Sequence, residues 1–568
     1  MSRVIIVGAG GAGLTAAIEA AEADADVVLV TKAIYQQSSY RWASVGGCTW
    51  KTHAFNAAVA EGDSVEAHIR DTIAGGADAN DPQLAQTLCE GSRELVFWLE
   101  SIGLNFEKTD NGFATRPFGG CGAPRGVHLE DRLGFHIQRK LDEKVARLVA
   151  AGRVTVYSGL RGTRLLLNPY GQVCGLEAMS VDSLELLEIP GEAVILADGG
   201  GASMYAPSAA SMDKTCDGLA LGLQAGADAV DMEFVQFHPT GLASNVLTFD
   251  GTLVEEAVRF DGAILLNRHD ERFMFRHDER GEQATRDVVS RGIYRELIEG
   301  RAYDDGSVHL DISACRDVIA TQYPALLERL VQAGFDPRRE TVLPIRPTAH
   351  FLMGGLRIDT KAQTSVPGLY AAGETAGGVH GANRLGGNGL SEALVFGRIA
   401  GRHAATSGSP ATDDGITVTG AYRAPSTGTE SVDSVLQALR QSMYLHAGPI
   451  RSHRGLIKML GIISVLEDRT RHIGLGTGSR AAGQVQTYLD LQNLLLASKT
   501  IVEAALRREE SRGSHFREDF PQREAEFEGL ATRLKEGQLA WEPYMHVGGI
   551  HPGGIRPGDV HADARAMS

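Results

Sequence analysis

The sequence predicts an α/β chain in which a Rossmann-like dinucleotide-binding domain is interrupted by an α+β capping domain and followed by a helical domain. Three observations predict it. A short apolar run, Val4 to Val7, leads into Gly8, Gly10, Gly11 and Gly13, an alanine-rich helical stretch and a second apolar run, Val27 to Val30. Strand, glycine turn, helix, strand is the opening βαβ unit of that fold. Two further runs, Ala193 to Leu196 and Gly368 to Ala372, are each followed closely by glycines, as later parallel strands of the same sheet are. Between these runs, from about His238 to Thr348, the chain is charged and mixed in pattern, and Ser431 to Arg512 shows helical periodicity with long charged faces.

These patterns place the first part of the nucleotide domain at 1–237, the capping domain at 238–348 and the second part of the nucleotide domain at 349–405. A stretch rich in Ser, Thr, Gly and Pro at 406–429 reads as a linker, 430–546 as the helical domain, and 547–568 as an extended tail.

Composition bounds the function. A chain of 568 residues needs several structural units, and 43% hydrophobic with 22% charged residues is globular. The net charge of -16 argues against broad contact with nucleic acid or an anionic membrane. The six cysteines are scattered without a CxxC pair, which gives no pattern for an intrachain iron–sulfur cluster or a zinc site, and no metal is expected. No run approaches the roughly 20 apolar residues of a membrane span. The N-terminus enters a strand at once, so a cytoplasmic location is expected.

The turn Gly8-Ala9-Gly10-Gly11-Ala12-Gly13 lets backbone amides approach a pyrophosphate at the positive end of the following helix. The second strand ends in Thr31-Lys32 and not in the acid that usually grips a ribose, which argues against simple NAD binding. Further motifs follow in order: RPFGG at Arg116 to Gly120, DGLALG after Cys216, QFHPTG at Gln236 to Gly241 and TRDVVSR at Thr285 to Arg291. HFLMGG at His350 to Gly355, GETAGGVHGANRLGGNGL at Gly373 to Leu390 and ESRGSHFREDFP at Glu510 to Pro521 complete the set.

With these motifs the chain, from residue 1 to about Arg523, resembles the succinate dehydrogenase and fumarate reductase flavoprotein family, which includes L-aspartate oxidase. The resemblance implies an FAD-dependent oxidoreductase that moves a hydride between flavin N5 and a carbon next to a carboxylate of a small substrate. It implies flavin contacts at Gly8, Gly10, Gly11, Ala12, Gly13, Thr31, Lys32, Ser39, Gly46, Gly47, Asp217, Glu374, Gly389 and Leu390. His238, His350 and Arg384 match the family's carboxylate clamp, with Phe118, Glu255 and Gly46 also on the substrate side. Arg286 matches its proton shuttle, and Glu256 and Arg259, one helical turn apart, match the relay that an always-charged arginine needs.

Three departures stand out against the resemblance. Tyr40 falls where covalent members carry a flavin-bonded histidine, which implies dissociable FAD. Val45 replaces the usual Gln before the glycine pair, and Glu255 replaces a Thr, putting an acid where a neutral donor is expected. A second substrate carboxylate is repelled there unless Glu255 is protonated or turned away, and an amine or hydroxyl at that end is the alternative. The resemblance leaves open whether electrons pass to a separate iron–sulfur protein or to oxygen. A flavin-binding scaffold without turnover is the remaining reading, against which the retained histidines and arginines count.

Overall fold

Continuous apolar runs flanked by glycines bury both faces of a parallel sheet, and this is what they do here. In the computed structural model, which describes residues 2–33, 49, 52–246, 249–406, 415–425, 427–476 and 479–544, five strands pair in parallel. Their order is Leu369–Ala371, Ala193–Leu196, Arg3–Val7, Asp26–Thr31 and Val154–Ser158. The helix Gly11–Glu22 follows the first strand and crosses the helix Asn388–Thr406 at very short range. A Cβ at Gly397 would stand 2.4 Å from the Ala12 carbonyl oxygen, and one at Gly401 2.4 Å from that of Ala16. Glu19 seals the crossing by accepting from Arg398 Nε at 2.5 Å and Arg402 Nε at 2.7 Å. The two halves of the discontinuous domain are therefore locked together along one helix pair.

The cap begins and ends on paired strands. Val235–Leu242 and Val342–Leu352 run antiparallel, and Val308–Asp311 and Ile264–Leu266 extend the sheet outward. This sheet and the helices Arg286–Ile298, Arg316–Gln322 and Pro324–Gln332 enclose a separate apolar core that includes Leu242, Val258, Phe273, Leu310 and Leu326. The cap also docks back onto the nucleotide domain. Asp131 Oδ2 accepts the Ala325 and Leu326 amides at 2.8 and 3.2 Å, covering orphan donors at the start of the helix Pro324–Gln332.

Beyond the second part of the nucleotide domain, the helices Val432–Ala447, His453–Thr470 and Ser479–Arg507 pack side by side. The chain then returns as a hairpin, Leu530–Lys535 and Gln538–Pro543, which joins Ala229–Val230, Gly355–Arg357 and Ala376–Gly377 in one sheet. The region expected as the helical domain, 430–546, thus ends in strands that close on the body of the protein. The ESRGSHFREDFP motif has a structural part in this closure. Arg508 pairs with Glu233 at 2.5 Å and Glu510 at 2.8 Å, and Glu510 also holds Arg512 at 2.7 Å, all fully or almost fully buried.

The stretch expected as a linker carries the strand Thr417–Ala421, which pairs with Glu185–Pro190 at the edge of a second antiparallel sheet. All five of its residues are exposed, so no apolar alternation marks it as a strand. The expected tail, 547–568, lies outside the described residues. Among the described residues no helix is long and apolar enough to cross a membrane.

Candidate active site

One cavity of about 400 Å³ runs from the glycine turn to the underside of the cap. Its nucleotide end is framed by Gly8, Gly10, Gly11, Ala12, Thr31, Lys32, Asp217, Glu374, Gly389 and Leu390. Gly8 has a φ of +108°, and a Cβ there would stand 2.4 Å from the Ala197 carbonyl oxygen. Gly13 does not face the cavity; its hydrogen packs on the turn, because a Cβ would fall 1.8 Å from the Gly8 carbonyl oxygen. A Cβ on Gly10, by contrast, meets open space.

The charges at this end are held by one another. Asp217 accepts from Arg161 at 2.5 Å, Lys32 at 2.7 Å and Asn493 at 2.7 Å. Burial raises the Asp217 carboxyl, but Arg161 and Lys32 overcome it and hold the group below the usual carboxylate range. Glu374 is bonded to Lys214 and accepts the Leu352 amide at 3.0 Å. Nearby, Asp198 Oδ2 is buried without a hydrogen-bond partner among the described residues. Burial, then the Asp217 charge, pushes the Asp198 carboxyl up to about 7.

A flavin dinucleotide fits this donor set. The turn exposes amides at the start of Gly11–Glu22, Gly10 leaves room for a close anion, and the helix Asn388–Thr406 begins at the cavity wall with its positive end inward. Ser39, Gly46 and Gly47 from the expected cofactor set lie outside the described residues, as do Tyr40 and Val45.

Under the cap the sheet strands aim the substrate-side residues. His238 stands on the first cap strand, with Thr348 as its register partner on the last, and His350 is two residues beyond it. The two imidazoles lie edge to face with centroids 5.6 Å apart. Gln236 Oε1 accepts from both Arg384 Nη2 at 2.8 Å and Arg286 Nη1 at 3.1 Å, bridging the two guanidinium groups. Arg384 also lies over the Phe351 ring at 4.6 Å.

Arg286 opens the helix Arg286–Ile298 and donates through Nε to Glu256 Oε2 at 2.6 Å. The other oxygen of Glu256 accepts the Gly119 amide at 3.1 Å and faces Arg259 Nη2 at 3.8 Å. Burial raises the Glu256 carboxyl, yet Arg286 and Arg259 hold it below its ordinary value, so it stays a carboxylate. Arg259 does not reach the cavity; it sits behind Glu256. Arg286 and Glu256 are hydrogen-bonded and Arg259 stands 3.8 Å behind Glu256 in ion-pair contact, so the three form a buried series leading from the cavity.

His238 is held neutral. Burial first, then Arg286, His350 and other cations, take its imidazole well below the usual histidine range. His238 Nδ1 lies 3.4 Å from the Thr240 amide and 3.3 Å from the Thr240 hydroxyl, which fixes the ring's orientation and leaves Nε2 for a substrate group.

Several contributors carry no signal in the sequence. Gln236 enters the sequence reading only as part of a motif. Lys214, Asp198, His53 and Arg329 each line the cavity as single residues in segments with no pattern of their own. His53 packs near Phe118, with ring centroids 5.5 Å apart. Glu255 lines the cavity too, and it is not turned away: it is ion-paired to Arg329.

A dinucleotide cradle continuous with a site of histidines and arginines suited to a carboxylate defines an FAD-dependent oxidoreductase. Residues 3–390 match the FAD binding domain family and residues 436–542 the fumarate reductase flavoprotein C-terminal family. The chain belongs to the succinate dehydrogenase/fumarate reductase flavoprotein family, with L-aspartate oxidase among its members. It is 37% identical to a subunit of the CoM/CoB fumarate reductase of Methanothermobacter marburgensis, over 94% of this chain and 98% of that one. It is 38% identical to L-aspartate oxidase of Caulobacter vibrioides, over 91% and 93%. Among solved structures, Sdh1 of Mycobacterium smegmatis aligns with a TM-score of 0.82 at 32% identity, over 96% of this chain and 94% of that one. The E. coli quinol fumarate reductase flavoprotein aligns at 0.84 and 27% identity, over 95% and 96%.

Because His238 is neutral, it contributes a hydrogen bond and not a charge. His238→Gln is expected to retain FAD and to lose about tenfold less kcat/KM than His238→Ala, the worth of roughly one hydrogen bond. A pH profile of wild-type kcat/KM should show no ionisation near pH 6.5 that disappears in His238→Gln. Finding one assigns a charge to His238 and overturns this account.

Proposed function

We propose that this oxidoreductase dehydrogenates, or in the reverse direction reduces, a carbon–carbon or carbon–nitrogen bond beside a carboxylate of a fumarate-, succinate- or aspartate-like substrate. The observation that carries the proposal is the buried chain Arg286–Glu256–Arg259, opening beside His238, His350 and Arg384 in the cavity that also holds the glycine turn. Bound FAD supplies the hydride donor or acceptor at N5. His238, His350 and Arg384 bind one carboxylate, polarise it and fix the neighbouring carbons. Arg286 delivers or takes the proton at the atom bonded to the carbon that exchanges hydride, a carbon in a succinate-like substrate and the nitrogen in an aspartate-like one. Glu256, held ionised between two guanidinium groups, returns that proton through Arg259. The cap, docked through Asp131, covers the site of this exchange. A scaffold without turnover leaves these buried charges without a use, which supports catalysis.

The names of the fumarate reductase subunit relatives support a separate electron-transfer partner, and the L-aspartate oxidase relatives support oxygen as acceptor. Anaerobic mixing of the holoenzyme with succinate, fumarate and aspartate, followed by flavin absorbance and then by admission of air or of a dye, distinguishes these. Bleaching by none of the donors, together with no reoxidation of the reduced enzyme by fumarate, overturns the proposal. Arg286→Gln is expected to keep FAD and fold while losing about a hundredfold or more in kcat, since an amide can hydrogen-bond but cannot cycle the proton. A rate within severalfold of wild type removes Arg286 from the mechanism. We further propose that FAD is held without a covalent bond: acid precipitation should leave the yellow colour in the supernatant, and colour in the pellet refutes it.

A further inference from the structure

The cavity contains two groups of charges, and only one is used by the carboxylate clamp. Around His238 the dominant neighbours are Arg286, His350, Arg259 and Arg384; around His53 they are Glu255, Arg116, Arg286 and Glu256. Arg286 adjoins both: it shares Gln236 with Arg384, and it stands with Phe118, the ring beside His53, against Gly386. In the second group, Glu255 and Arg329 are ion-paired and both line the cavity, beside Phe118 and His53. Neither ring nitrogen of His53 meets a hydrogen-bond partner among the described residues, and burial keeps its imidazole below the usual range, so it is a neutral donor or acceptor open to the cavity.

The placement of Arg329 is built, not incidental. It lies on the helix Pro324–Gln332, whose first amides are held by Asp131 of the nucleotide domain, and its neighbour Glu328 pairs with Arg132 at 2.9 Å. Glu255 takes one Nη2 donor, and Arg329 Nε reaches the Ala325 carbonyl at 3.3 Å. A guanidinium carries five N–H donors in a fixed fork, so donors remain for a further acceptor. The carboxylates available to an ammonium are already committed: Glu255 to Arg329, and Glu256 to Arg286, Arg259 and the Gly119 amide.

We propose that Arg329, anchored by Glu255 and assisted by His53, is a specificity-determining residue that binds the end of the substrate remote from the His238, His350 and Arg384 clamp, and that it selects a second carboxylate over a neutral or cationic group. The proposal rests on the carboxylate-substrate reading above. It assigns Glu255 the task of orienting a cation rather than contacting substrate itself. It also makes the remote subsite dependent on the docked cap, since the same helix carries Arg329 and the Asp131 contact.

The test titrates the oxidised holoenzyme with fumarate and with its monoamide, which has the same size and one charge fewer, reading flavin absorbance for Kd. Arg329→Gln is expected to raise the fumarate Kd at least tenfold while changing the monoamide Kd less than threefold. Arg329→Lys, which keeps the charge, should preserve a preference for fumarate. Adding Glu255→Gln to Arg329→Gln should recover part of the loss by removing the stranded carboxylate. Equal changes for both ligands, or an unchanged ratio with FAD content and thermal stability intact, overturn the role of Arg329. If Arg329→Gln does not hold FAD, loss of the fumarate preference in Arg329→Lys overturns it instead. Wild-type enzyme that binds neither ligand sinks the parent reading, a result distinct from binding whose selectivity ignores Arg329.

Discussion

Charge buried beneath the cap has to be compensated, and that constraint organises the cavity from end to end. At the nucleotide end Asp217 is balanced by Arg161 and Lys32, and Glu374 by Lys214. Under the cap Glu256 is balanced by Arg286 with Arg259 behind it, and Glu255 by Arg329. An uncompensated ion in such a place costs several kcal/mol, more than most single packing contacts return. Each of these four carboxylates is therefore tied to a cation from a different segment, and the segments are held in register by the same contacts that tune the site. Folding and electrostatic preorganisation are here one arrangement.

This constraint explains what sequence could and could not show. The parallel sheet and the turn were legible because their causes are local: apolar runs of a few residues, and glycines required where a side chain would strike the Ala197 or Gly8 carbonyl. Ordered motifs singled out the residues assigned to clamp and shuttle, and the structure brings His238, His350, Arg384, Arg286 and Glu256 to one cavity. Compensation is not local. Arg329 lies 74 residues from Glu255, and Lys214 lies 160 from Glu374. No periodicity or spacing links such pairs. The strand Thr417–Ala421 is hidden for a related reason: an exposed edge strand carries no apolar alternation, and only its pairing partner reveals it.

Glu255 shows how a substitution read in isolation misleads. As a lone acid it argues for repulsion of a second carboxylate. Beside Arg329 it is half of an ion pair, and the electrostatic sign presented to the cavity depends on how the two share their charge. The Glu255 charge favours the protonated guanidinium, which is why Arg329 is held above its ordinary value despite its burial. The pair is close to neutral from a distance but not up close, where the donors left over on the guanidinium set the local chemistry.

Glu255 and Glu256 are adjacent in the chain yet serve different arginines on different helices, Arg329 on Pro324–Gln332 and Arg286 on Arg286–Ile298. Consecutive side chains can diverge in this way because the chain enters the short helix Ala257–Phe260 at this point. A rigid strand would also separate them, but to opposite faces of a sheet, one of which would be lost from the cavity. The turn instead keeps both carboxylates at the cavity wall while directing them to separate cations. The Glu256–Arg286 pair belongs to the proton route proposed above and the Glu255–Arg329 pair stands beside it, so a change in one cation alters the field at the other through only two linked residues. That proximity ties the proposed recognition of the substrate's remote end to the charge environment of Arg286, without any motion of the sheet that carries His238 and His350.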